Sequence, residues 1–246
     1  MKRRGVLAGL AALLAGGCAK AAQSPPFAAL LGAAEGWNRA LHDLLGRRGA
    51  LAREFAAGDI SPFFRGNGTT LPEGAAYAAH AASGFADWRL DVRGLVDQPL
   101  ALALAQIAAL PQRTQITRHD CVEGWSAIGQ WTGVPLHEIL RRAGLKPDAR
   151  YIVFRCADML DGAAYYESID LIDALHPQTI VAHRLNGAPL PVANGAPLRM
   201  RIERQLGYKH AKYLTAIEAV ASLEGIGGGK GGYWEDRSNY QWYAGI

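Results

Sequence analysis

From Phe27 to Ala57 apolar positions recur about every 3.6 residues among Ala, Leu and Arg, a pattern that predicts a helical arm, broken near Gly46 or Gly49 and stopped by Gly58. Asp59 to Gly74 (DISPFFRGNGTTLPEG) is dense in Gly, Pro and Asn and predicts a loop, although Phe63 and Phe64 beside Arg65 and Asn67 are unusual in a mere linker. Beyond it the periods shorten. Leu90, Val92 and Leu95 mark a strand, Leu100 to Leu110 a helix, and Thr114 to Cys121 a further extended run. Pro135 opens a helix (PLHEILRRAG) that Gly144 closes, and Tyr151 to Cys156 predicts a buried strand. Asn186-Gly187 and Asn194-Gly195 are turn signals around Pro189 and Pro191. Leu198, Met200 and Ile202 alternate with Arg199, Arg201 and Glu203, as in a strand with one face in water. Short strands interleaved with short helices predict one mixed α+β domain carrying an N-terminal helical arm.

Ahead of the arm, Lys2-Arg3-Arg4 precedes Gly5 to Gly17, an apolar stretch too short to cross a bilayer as a mature helix. This order predicts an export signal over residues 1–22. Its adjacent arginines and mildly hydrophobic core point to the twin-arginine route, which carries folded cargo to the periplasm. Cys18 follows Leu14-Ala15-Gly16-Gly17, small residues like those before a lipid-modified cysteine, with Leu one position early; it is a candidate anchor. The remaining organisation predicted is an arm and loop over 23–85 and the main mixed α+β domain over 86–246. No other run reaches membrane-spanning length. The net charge is +4; without Lys2, Arg3 and Arg4 the balance is 23 cations against 22 anions, which excludes a polycation built for nucleic acid.

Three patterns offer chemistry and two of them fail. In GIGGGKGG, residues 225–232, Gly227, Gly229 and Gly232 satisfy GxGxxG, but Tyr233-Trp234-Glu235-Asp236 follows instead of a helix and no βαβ unit surrounds it. As a P-loop it has Glu224 where the first Gly belongs and Gly231 where a hydroxyl must hold magnesium, so a flexible loop is expected. Ser126, His119 and Asp120 suggest a hydrolase triad, yet GWSAIG is not GxSxG, and His119 and Asp120 on one strand would face opposite ways. The third is a basic cluster, Arg199, Arg201, Arg204, Lys209 and Lys212 around Gly207 against the single acid Glu203. It is either a solvated strand face or a cradle for one phosphate-bearing ligand. Of the cysteines, Cys121 and Cys156 would pair as a disulfide on compartment alone; no CxxC pair or CxxCH haem site exists.

The stretch Arg118 to Leu140 (RHDCVEGWSAIGQWTGVPLHEIL) strongly resembles the active-site segment of the sulfite-oxidase superfamily of molybdenum enzymes, in the branch that includes bacterial periplasmic methionine-sulfoxide-reducing subunits. It carries the family's Cys-Val-Glu-x-Trp-Ser run as Cys121, Val122, Glu123, Trp125 and Ser126, then Trp131, Gly133 and Pro135-Leu136. A second stretch, Leu185 to Tyr213, is similar to the segment that holds the cofactor phosphate. The resemblance implies a sulfite-oxidase-type fold of mixed sheets with short helices and a molybdenum-molybdopterin cofactor. Cys121 becomes the thiolate ligand of the metal, stabilised by Arg118 and His119. Asn67, Arg118, Cys156, Asn194, Arg199, Lys209, His210, Ala211 and Lys212 become cofactor contacts. Arg65, His119 and Tyr166 join Cys121 as candidate catalytic residues. Because a metal ligand cannot also be bridged, the disulfide expectation reverses, and Cys156, where relatives place a small Thr, becomes a thiol lining the site. Two departures stand out: the family's Arg-Asn pair is split as Arg65-Gly66-Asn67, and the chain ends soon after Trp242-Tyr243, without the immunoglobulin-like domain of larger members.

The implied activity is two-electron oxygen-atom transfer on a small sulfur-oxo compound, either sulfite oxidation or sulfoxide reduction. Electrons would pass to or from an external c-type cytochrome or a membrane b-type haem protein, because the chain shows no haem, iron-sulfur or flavin motif. The competing expectation is a catalytically inactive accessory protein that retains the fold, lipid-anchored through Cys18.

Overall fold

The structure, a computed structural model, describes residues 24–45 and 49–246, which fall into two compact units. The first holds α1 (Pro25–Leu44), opened by two prolines whose fixed φ suits a first helical turn. This helix covers the first part of the predicted arm. The predicted leader with Cys18, and the break at Gly46, lie outside the described residues.

In the second unit the predicted continuation of the arm is not helical. Partners far along the chain claim its backbone groups instead: Phe55 N–H donates to the Ile116 carbonyl at 2.9 Å, and the Gln178 amide bonds both backbone groups of Ala52 at 2.7 and 3.0 Å. Residues 49–85 therefore belong to the same compact unit as 86–246, so the boundary expected near residue 86 is not a structural one. Within that segment α2 (Ala75–Ala82) buries Tyr77, whose hydroxyl donates to the Ala196 carbonyl at 2.7 Å.

The rest of the unit runs through β1 (Arg89–Gly94), β2 (Leu100–Ala103), α3 (Leu104–Ala108), β3 (Arg113–Cys121), β4 (Trp125–Pro135) and α4 (Leu136–Ala143). It continues with β5 (Tyr151–Leu160), β6 (Ala163–Asp170), α5 (Leu171–Ala174), β7 (Thr179–Leu185), β8 (Ala188–Pro189), β9 (Arg199–Ile202), β10 (Leu214–Val220) and α6 (Tyr233–Ser238). Two mixed or antiparallel sheets result, ordered β2-β1-β10-β5-β6 and β3-β4-β7-β8, with β9 on β7; β1 and β10 are parallel. This is the expected α+β fold of sheets with short helices. One core takes Leu90, Phe154 and Ile217 from the first sheet and Val134, Val181 and Met200 from the second, while Phe64, Trp131, Ile180 and Leu185 form a smaller cluster. Among the described residues no helix is long and apolar enough to cross a membrane.

Two local expectations are corrected. The helix predicted from Leu100 is helical only from Leu104, because residues 100–103 pair with β1 and the Gln106 side chain caps the Ala103 N–H at 2.8 Å. The strand predicted to have a wet face has none: in β9 Arg199 and Arg201 are fully buried alongside Met200 and Ile202. By contrast the helix between Pro135 and Gly144 and the turn at Asn186-Gly187 stand as predicted.

Candidate active site

Six segments of the chain line one cavity. The tip of β3 supplies Cys121, after which a turn closed by Gly124 N–H on the Cys121 carbonyl (3.0 Å) presents Val122 and Glu123. The far end of β5 supplies Asp158 and Leu160, and β6 supplies Tyr165. Asn67, Gly68 and Thr69 close it from the predicted loop, Gly207, Tyr208, His210 and Lys212 from the basic segment, and Trp234 and Tyr240 from α6 and its flank. The cavity encloses about 160 Å³, and its aromatic walls with a few convergent polar groups are the lining of a small-molecule or cofactor site.

The five cations of the basic cluster are all buried, which rules out the solvated face, but they do not converge. Arg201 is spent in a bidentate pair with Glu203 (2.5 and 2.9 Å) and a hydrogen bond to His119 Nδ1 at 2.9 Å. Arg204 lies 3.8 Å from Asp173. Lys209, expected to touch cofactor, is instead held between Glu167 and Glu235 at 2.6 and 2.5 Å, wholly out of solvent. Only Arg199 and Lys212 have no carboxylate partner among the described residues. Lys212 Nζ donates to the carbonyls of Asn67 (2.5 Å), Thr69 and Ala193 (3.3 Å), and Arg199 to those of Asn194 (2.9 Å) and His210 (3.5 Å). Burial pushes Lys212 down to about 7, with Arg199 adding to the push, and pushes Arg199 itself down to about 9. A buried cation without a carboxylate is costly, and an anionic ligand removes that cost.

Cys121 and Cys156 are both free, as the resemblance implied. Burial raises the Cys121 pKa and Glu123 adds to the rise; the Glu123 backbone N–H, Arg199 and Lys212 oppose it. Arg118 and His119 are not the stabilising neighbours expected. The β3 pleat turns Arg118 to the other side, where it pairs with Asp120 at 3.0 Å. His119 is kept neutral, its pKa held well down by burial and then by Arg201. Since Arg201 donates to Nδ1, the ring proton sits on Nε2, a buried atom without a protein partner. Gly207 makes room for that edge: a Cβ there would lie 2.4 Å from Nε2. His210 complements it, for its Nε2–H faces the carbonyls of Ile202 (2.9 Å) and Gln205 (3.1 Å), leaving Nδ1 as a buried acceptor without a partner.

The other expected residues divide as follows. Asn67 lines the cavity with its Oδ1 unpartnered, whereas Asn194 stands behind the wall and acts through its carbonyl on Arg199. Ala211 spends both backbone groups internally, on the Lys209 carbonyl and the Met200 N–H, and so has none to offer a ligand. Cys156 is packed against the core, short of the cavity, where burial raises its thiol pKa well above the ordinary value. Arg65 is exposed beyond Glu123, whose carboxyl is held below its usual range first by the Trp125 indole N–H (3.0 Å), then by Gly68 N–H and Arg65. Tyr166 turns away from the cavity and its hydroxyl donates to Asp236; the neighbouring Tyr165 faces in and donates to the Tyr208 carbonyl at 2.7 Å. Asp158, with Oδ1 unpartnered and its pKa raised by burial, went unmarked in the sequence, as did Trp234 and Tyr240. A polar residue inside the apolar run that follows Cys156 was the one available signal for Asp158.

Residues 77–224 match the family described as the oxidoreductase molybdopterin binding domain. The chain is 46% identical over 160 residues to a provisionally named protein-methionine-sulfoxide reductase subunit, YedZ1, of Azospira oryzae, covering 65% of this chain and 56% of that one. It is 35% identical over 147 residues to the protein-methionine-sulfoxide reductase catalytic subunit MsrP of Xanthomonas axonopodis pv. citri, covering 55% and 46%. The chain thus spans about half the length of the curated relatives it matches. Its fold is similar to the sulfane dehydrogenase SoxCD from Paracoccus pantotrophus, with a TM-score of 0.51 at 21% identity over 56% of this chain and 39% of that one. With the family match covering more than half of its length, this chain belongs to the oxidoreductase molybdopterin binding domain family.

Proposed function

We propose that the chain is a molybdenum-dependent oxidoreductase that transfers an oxygen atom and two electrons to or from a small sulfur-oxo compound. The observation that carries this is the pairing in one cavity of the Cys121 thiol, at the head of the Cys-Val-Glu-x-Trp-Ser run, with Lys212 and, behind it, Arg199, both lacking a carboxylate. The residues fit molybdopterin. Its phosphate suits two uncompensated cations, and its pterin suits Asn67 Oδ1, Asp158 Oδ1 and His210 Nδ1, acceptors that the protein leaves without partners. When bound, the cofactor supplies molybdenum and dithiolene sulfurs, the centre at which oxygen and electrons are exchanged.

The protein's own contributions follow from placement. Cys121 offers one soft thiolate, and among the described residues no cluster of His, Cys, Asp or Glu could hold a metal unaided, so the remaining donors belong to the cofactor. Tyr165, Tyr208, Trp234 and Tyr240 make an apolar wall that limits water. Arg65, outside this wall, is the cation placed to meet an anionic substrate, while exposed Phe63 and Val122 suit an organic one. Sulfite oxidation releases two electrons and two protons, and sulfoxide reduction consumes them. The proposed redox partner is an external c-type cytochrome or membrane b-type haem protein, reached in the periplasm after twin-arginine export, with Cys18 a candidate lipid anchor.

The test is elemental analysis of protein made in a host that assembles the cofactor, followed by assays in both directions with artificial donors and acceptors. About one molybdenum per chain is expected. Its absence overturns the proposal and favours an accessory protein that retains the fold.

A further inference from the structure

Contrary to expectation the glycine run is followed by a helix, α6, but that helix has only six residues and no βαβ unit surrounds it, so the run is no nucleotide site; it is an organised loop. Its backbone N–H groups at Gly228 and Lys230 converge on the Asp236 carboxylate at 2.7 and 3.0 Å, and Tyr166 donates its hydroxyl to the same group from β6. The loop wraps its own anion. Gly227, at φ +58°, is required there, because a Cβ would lie 2.4 Å from the Tyr166 oxygen. Asp236 belongs to α6, and two residues before it Trp234 enters the cavity wall, stacked on Tyr240 with ring centroids 5.6 Å apart. A six-residue helix is too short to hold its place by its own hydrogen bonds, so its position comes from what anchors it.

We propose that Asp236 and Tyr166 form a latch that positions the Trp234–Tyr240 wall over the cavity, and that the latch governs how tightly substrate is held without taking part in the chemistry. The substrate part of this inference rests on the function proposed above; the latch itself does not. Asp236→Asn keeps the volume but places an N–H₂ where one of the three donors now points. Tyr166→Phe removes one donor alone.

The experiment uses the full, cofactor-loaded protein with two readouts. The first is native trypsin cleavage after Lys230, an exposed residue inside the loop whose backbone N–H the latch holds. Asp236→Asn should be cut there at least about fivefold faster, Tyr166→Phe less so, and Trp234→Ala at the unmutated rate. The second is kinetic: Asp236→Asn should raise KM several-fold with kcat within about twofold, and adding Trp234→Ala should not raise KM by the full product of the two single effects. Unchanged cleavage in both Asp236→Asn and Tyr166→Phe overturns the latch. Faster cleavage with unchanged KM overturns its role at the cavity, as does a fall in kcat at constant KM. If the loaded, unmutated protein turns over no sulfur-oxo compound, the functional proposal fails, and the cleavage rates still decide the latch.

Discussion

Cys121 and Cys156 show how one residue type takes different parts by position. Cys121 opens on the cavity, whereas Cys156 is packed against the core, so their substitutions should separate. Cys121→Ser should abolish turnover, by more than about a hundredfold, in a folded protein, since a hard hydroxyl replaces a thiolate on a soft metal site. Cys156→Ala should retain activity; equal loss in both, together with no free thiol in the unmutated protein, would restore the disulfide expectation. The neutral histidines make a second prediction. Burial holds His119 and His210 well below the ordinary value of 6.5, so just below that pH the unfolded chain binds protons that the folded chain refuses. Stability from these groups is present above pH 6.5 and is lost on acidification, by up to about 1.4 kcal/mol per pH unit for each proton. Glu167, raised by burial, acts in the opposite sense, so the informative quantity is a difference. Chemical denaturation of cofactor-free protein between pH 7 and 5 should show a steeper loss for the unmutated chain than for His210→Gln, and parallel curves would refute this.

At the scale of elements, Lys209 ties the turn at Gly207–Lys209 to β6 through Glu167 and to α6 through Glu235. All three side chains are out of solvent, and burial raises the Glu167 pKa well above its ordinary value, opposed by the Lys209 ammonium. Lys209→Met would strand two acids without a cation and should cost about 3–5 kcal/mol, the usual penalty for breaking a buried pair from one side. Glu167→Gln should cost much less, as it leaves Lys209 its Glu235 partner. Calorimetry on both variants settles the order; a mild Lys209→Met would return Lys209 to the cofactor contacts that the family resemblance implied.

For the whole molecule, residues 49–246 form one compact unit, and the predicted leader lies outside the described residues. Substituting Arg3→Lys with Arg4→Lys in the source organism should leave loaded enzyme in the cytoplasm on fractionation, because the twin-arginine route requires both guanidiniums. Normal periplasmic activity would refute the twin-arginine route and weaken the partner assignment with it.

The sequence by itself determined the kind of site. A run of residues consecutive in the chain, Cys121 to Ser126, carries the family resemblance wherever the chain goes, and Gly144 and Asn186-Gly187 punctuate their elements through backbone conformation alone. Tertiary structure alone decided which members of a rich set are free to act. Arg199, Arg201, Lys209 and Lys212 look alike in sequence, but two find acids, the Glu167 of Lys209 lying 42 positions away, and the others find carbonyls. Tyr165 and Tyr166 likewise differ only in the phase of the β6 pleat, and a shift of one residue exchanges the faces of a strand. Charge pairing and strand phase are long-range properties, settled when distant segments meet in the folded core.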